Sequence, residues 1–120
     1  IAEDMARLSA VREAAGDGFE IMVDANQAFT VAEARRRAHA FSPLMLAWLE
    51  EPLPAEDIGG HVELAAVATM PIAVGESLYH AAHFREYLER GACSPSATRS
   101  RSRASTSPRP SLSPLKLSSA

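Results

Sequence analysis

Three short apolar runs, each leading to a carboxylate, recur along this chain at an interval of 26 residues. Phe19-Glu20-Ile21-Met22-Val23 ends on Asp24, Leu46-Ala47-Trp48-Leu49 ends on Glu50, and Pro71-Ile72-Ala73-Val74 leads through Gly75 to Glu76. Runs this short and apolar read as buried strands. Helical stretches separate them. Met5, Leu8, Val11 and Ala15 recur at helical spacing over residues 2–15, with Glu3 and Asp4 in the first turn, where the helix dipole favours acids. Thr30 and Glu33 form a capping-box pattern that opens a helix over residues 31–41, which Ser42-Pro43 breaks. Gly59-Gly60 precedes a helix expected from His61 to Ala68, and a fourth spans residues 81–90, closed by Gly91. One helix followed by three β-α units is the order of an α/β protein, with parallel strands and helices packed outside. Three units fit an open sheet and a barrel equally.

Equal intervals bring the chain back to the same height on successive strands, and neighbouring parallel strands lie about 4.8 Å apart. Asp24, Glu50 and Glu76 are therefore expected to crowd at one end of the sheet, where their charges repel. A hard divalent cation relieves that repulsion. Mg2+ takes oxygen ligands in octahedral geometry and keeps positions for water or substrate. The carboxyl ends of parallel strands are also where barrel enzymes carry their active sites. The competing reading is that each acid caps the helix after it, and spacing alone leaves both open.

The residues around the three acids are more specific. Val23-Asp24-Ala25-Asn26-Gln27-Ala28, Trp48-Leu49-Glu50-Glu51-Pro52-Leu53 and Pro71-Ile72-Ala73-Val74-Gly75-Glu76-Ser77 resemble, in order and spacing, the successive metal-ligand motifs of the enolase superfamily, mandelate racemase-like branch. The resemblance covers residues 2–93, and Gly75–Cys93 looks closest to acid-sugar dehydratases. It implies a partial (β/α)7β TIM-like barrel and Asp24, Glu50 and Glu76 as Mg2+ ligands. It also implies Asn26 at the rim of the site and Glu51 behind the ligands. Tyr79 and His80 are candidates to line a substrate pocket. The implied chemistry is abstraction of the proton α to a carboxylate by a Lys or His base, with the cation stabilising charge on oxygen. A sugar-acid dehydratase or a 2-hydroxy-acid racemase would follow, acting on a small carboxylate substrate in a homo-oligomeric parent.

The chain departs from that pattern in what it lacks. Residues 1–93 contain no lysine, so the family's Lys-x-Lys base has no match, nor has its His-Asp dyad. No catalytic base is assigned, and the chain reads as a fragment that is inactive alone. Three or four strands leave two open sheet edges, so an aggregated or molten state is expected of it.

Charge divides the chain at Cys93. Before it, seven arginines face all fifteen acids, a balance of −8; residues 94–120 hold four arginines, Lys116 and no acid. The 94–120 segment, with ten serines and four prolines, is expected to be a disordered tail and reads like the product of a shifted frame. Its Arg-Ser alternation is too short to signal RNA binding. Arg35-Arg36-Arg37 is expected to be a solvated helix face rather than a nucleic-acid patch, His39 a surface residue and His61 a helix opener. A single cysteine fits a reducing cytoplasm, and no apolar stretch is long enough to span a membrane.

Overall fold

The computed structural model describes residues 1–97 and 115–117. Helix α1 (Ala2–Ala15) is followed by β1 (Met22–Asp24), α2 (Val31–Phe41), β2 (Trp48–Glu50), α3 (Ile58–Val67), β3 (Ile72–Ala73), α4 (Ala81–Glu89) and β4 (Leu115–Lys116). All strand pairs are parallel, in the order β3-β2-β1-β4.

Alternation divides the strand residues between two faces. Val23, Leu49 and Ile72 pack with Leu8, Ala34, Ala38, Phe41 and Leu64 in the main core between sheet and helices. Fully burying one such Leu, Ile or Phe contributes about 1.5–3 kcal/mol, so this face dominates the stability. On the other face Trp48 and Ala73 cluster with Ala97, and Met22 packs beside them. The chain therefore buries both faces of the sheet, although only one is covered by the helices of the β-α repeat.

Local signals place the helix ends. Thr30 caps α2, its Oγ1 accepting from the Glu33 N–H at 3.3 Å. The Glu33 carboxylate does not return the bond; it accepts from Arg37 instead. α3 starts three residues before the expected His61, because Asp57 caps it through the Gly60 N–H at 2.8 Å. Gly60 is required there: a Cβ would lie 2.6 Å from Val31 Cγ2, so glycine lets α3 approach α2. His61 is a fully buried residue inside α3, not its opener.

Two further expectations are corrected. Arg37 is not part of a solvated face: it is 2% exposed and donates to Asp4 and Glu33, with its guanidinium 4.4 Å from the Phe29 ring centre. Arg35, Arg36 and His39 are exposed. The segment after Cys93 is not wholly apart from the fold either. The Ser94 N–H donates to Ile72 O at 2.8 Å, Ala97 is buried, and Leu115–Lys116 pairs with β1. Ser94 thus covers part of the β3 edge and β4 covers the β1 edge, the two edges expected to lie open. The rest of the expected tail, residues 98–114 and 118–120, lies outside the described residues. Among the described residues no helix is long and apolar enough to cross a membrane.

Candidate metal centre

Asp24 and Glu50 close β1 and β2 as direct partners in register, so their side chains share the face that carries Trp48. Both are buried, at 5% and 3% exposure. Glu76 is placed differently. The partner of Glu50 is Ala73, so Glu76 lies three residues past the level of the other two acids, about 10 Å of extended chain. Equal spacing in sequence did not become equal height, because the first β-α unit returns the chain to register after 26 residues, Asp24 to Glu50, and the second after 23, Glu50 to Ala73. The chain leaves β3 at Val74 and turns at Gly75, whose φ of 153° L side chains rarely adopt. Glu76 stands exposed in that turn.

None of the three acids caps the following helix. Thr30 and Asp57 accept the N-terminal bonds of α2 and α3, and His80, which precedes α4, makes no side-chain cap. Asp24 Oδ1 accepts the Asn26 N–H at 2.9 Å, and Glu50 Oε2 accepts weakly from Trp48 Nε1 at 3.4 Å. Among the described residues no three His, Cys, Asp or Glu side chains are gathered closely enough to hold a cation. Two acids are brought together and the third is set above them. The donor set fits a hard cation by its chemistry: the paired strand ends offer carboxylate oxygens, without a thiolate or imidazole.

Glu51 was expected behind the ligands, and the structure shows what it touches. It is buried, in a left-handed conformation (φ 45°). Its Oε1 accepts the Ser77 N–H at 2.9 Å and its Oε2 the Ser77 hydroxyl at 3.4 Å. Gln27 completes a bracket: its Nε2 donates to Ser77 Oγ at 2.7 Å, its Oε1 accepts the Ala55 N–H, and its own N–H donates to Glu51 O. One partly buried network therefore ties the loops after β1, β2 and β3, and it grips the residue next to Glu76. Gln27 and Ser77 were not singled out by sequence reasoning. Asn26 is exposed with φ 49°, and Tyr79, 86% exposed, and His80 stand on the surface after the Glu76 turn.

Gln27 and Glu51 share a small cavity with His61 and Tyr87. The Tyr87 hydroxyl donates to Ala55 O at 2.6 Å, and His61 Nδ1 lies 2.8 Å from Asp57 O and 3.2 Å from that hydroxyl. A carbonyl only accepts, so Nδ1 carries the proton. Burial lowers the His61 pKa from 6.5, against the opposing Asp57 carbonyl and carboxylate. Burial first, then nearby acids led by Asp57, pushes Tyr87 from 10.0 up to about 12. A lowered histidine contributes stability that is present above 6.5 and lost as pH falls. A raised tyrosine contributes stability that is present below 10.0 and lost as pH rises towards 12. Urea midpoints across this range are expected to show a plateau between those limits. Tyr87→Phe is expected to remove the alkaline fall and His61→Leu the acid one.

Residues 1–98 match the Enolase C-terminal domain-like family. L-talarate/galactarate dehydratase of Salmonella typhimurium is 51% identical over 86 residues, covering 72% of this chain and 21% of that protein. The L-talarate dehydratase of Polaromonas sp. JS666, solved with Mg and L-glucarate, superposes with a TM-score of 0.74 at 43% identity, over 77% of this chain and 26% of that one. A Streptomyces coelicolor racemase solved with magnesium gives 0.75 at 39% identity, over 77% and 26%. The chain thus spans about a fifth of the length of the dehydratase it matches. Its parallel β-α units are part of the barrel of these enzymes. With the match running over residues 1–98, the chain belongs to the Enolase C-terminal domain-like family.

Proposed function

We propose that this chain carries the metal-ligand part of a Mg2+-dependent enzyme that acts on a small carboxylate, a sugar-acid dehydratase or a 2-hydroxy-acid racemase. The observation that carries the reading is the pair of buried carboxylates, Asp24 and Glu50, in register at the ends of neighbouring parallel strands. Asp24, Glu50 and Glu76 would hold the cation, Glu76 arriving from the turn after β3. The cation, when bound, supplies electrostatic stabilisation of negative charge on a substrate carboxylate. The protein's own part is positional. Glu51 and Gln27 fix Ser77, and so fix the turn that carries Glu76. Asn26, Tyr79 and His80 stand at the open side, where substrate would be met. No residue of 1–97 supplies an amine base, because none is a lysine. The chain's one lysine, Lys116, matches no Lys-x-Lys pair, so the chain by itself is expected to bind the cation without turning substrate over. Buried Cys93 fits a reducing cytoplasm.

The chain's single tryptophan makes the test direct, because Trp48 contacts Glu50. Titration with MgCl2 is expected to change Trp48 fluorescence in a saturable way. The Asp24→Ala/Glu50→Ala/Glu76→Ala chain is expected to give no such change. If that variant titrates like its parent, the acids are not the ligands.

A further inference from the structure

β4 comes from the far end of the sequence and stands outside the β-α repeat. It runs parallel to β1 on the side away from β2, with Val23 opposite Leu115 and Asp24 opposite Lys116. The Leu117 N–H donates to Asp24 O at 3.0 Å. Leu117 is buried in the main core and Leu115 packs against it, on the same side as Val23. Alternation then turns Lys116 to the other face, the one shared by Asp24 and Glu50. This is the chain's only lysine, and the register delivers it to the strand ends where two buried carboxylates stand together. Lys116 is exposed and takes part in none of the ion pairs found among the described residues, so its long stem lets the ammonium swing over that face.

We propose that Leu115–Leu117 is a built-in edge strand that carries a tethered counter-cation, and that Lys116 competes with a divalent cation for the Asp24–Glu50 face. The edge strand completes the backbone pairing of β1, buries Leu117 and partly buries Leu115, which anchors a charge that would otherwise be free. The ammonium offsets the mutual repulsion of the two carboxylates while no metal is bound. Mg2+ must then displace it, and binds more weakly for that. The competition half of the proposal rests on the metal reading above; the counter-ion half does not.

Two measurements on the full chain separate them. The first is MgCl2 titration followed by Trp48 fluorescence. Lys116→Ala is expected to bind Mg2+ about two- to fivefold more tightly than the parent, the range for an exposed charge pair. Lys116→Arg keeps the charge and is expected to restore parental affinity. The second is a double-mutant cycle of Lys116→Ala with Asp24→Asn/Glu50→Gln, read as melting temperatures in chelator. It is expected to be non-additive, the lysine mattering only while the acids are charged. Unchanged Mg2+ affinity in Lys116→Ala, with the parent responding normally, overturns the competition. An additive cycle overturns the counter-ion role. If neither parent nor variant responds to Mg2+, the metal reading fails, and the cycle in chelator alone decides the counter-ion. Rapid hydrogen exchange at the Leu117 amide would remove the edge strand itself.

Discussion

Arg37→Ala is expected to cost about 3–5 kcal/mol, the range for breaking a buried ion pair from one side. Folded domains of this size have only about 5–15 kcal/mol in hand, so most of the native population is at stake. The guanidinium is 2% exposed and is used on three sides. Nη1 donates to Asp4, Nε and Nη2 donate to Glu33 Oε1 at 3.1 and 3.0 Å, and the flat face lies over Phe29. Glu33 is partly exposed and regains water when the arginine goes. Asp4, at 5% exposure, does not: it keeps only the N-terminal ammonium of Ile1, 3.7 Å away, and the loss of its buried partner is the larger share of the cost. Asp4→Leu/Arg37→Met replaces the pair with apolar volume and is expected to fall within about 1–2 kcal/mol of the parent, because no buried charge is then left alone. Urea midpoints of the three chains measure both effects. A loss below about 1 kcal/mol in Arg37→Ala would mean that the pair is solvated in solution.

That pair also shows where sequence reasoning stops. Three consecutive arginines on a helix sweep about 200° of its circumference, which brings the outer ones close to the stripe that packs against the sheet. Composition could not say which one turns inward, because the partner, Asp4, lies on another helix. The same limit explains the other differences. α2 was legible to the residue because its start and stop, Thr30 and Ser42-Pro43, are local signals. α3 was read late because Gly59-Gly60 looks like a loop until the close approach to Val31 is known. Asp24 and Glu50 were legible as a pair because one β-α unit returns the chain in register. Glu76 was set at the wrong height because the interval between acids does not report the register of β3 on β2, which pairs Glu50 with Ala73. Gln27 and Ser77 lie in loops without period, and their bracket with Glu51 exists only in three dimensions. The strand at Leu115–Lys116 has no local signal strong enough to single it out among serines and prolines. It forms because β1 offers an open edge.

Reversal of a stability order is the second large effect expected. In chelator, Asp24→Asn/Glu50→Gln is expected to be more stable than the parent; in Mg2+ it is expected to be less stable. The amides keep the shapes and the acceptors: the Asn26 N–H and Trp48 Nε1 still find a carbonyl oxygen where each now meets a carboxylate. What they remove is charge. Like charges at the spacing of neighbouring strands, about 5 Å, repel by about 3 kcal/mol at an effective dielectric near 20. Lys116 on the same face offsets part of this, so a gain of about 1–2 kcal/mol in chelator is a sensible expectation. Mg2+ at a hundred times its dissociation constant adds about 2.7 kcal/mol to a chain that binds it and nothing to one that does not. The order should therefore cross between the two buffers. Glu76→Gln separates ligand from repulsion. Glu76 is exposed and out of register, so its neutralisation is expected to leave stability in chelator unchanged while removing the Mg2+ increment. Denaturant midpoints for the four combinations of chain and buffer, with Glu76→Gln beside them, decide the matter. The same order in both buffers would mean that the two buried acids are held by protein partners alone and that their pairing at the strand ends serves the fold, not a cation.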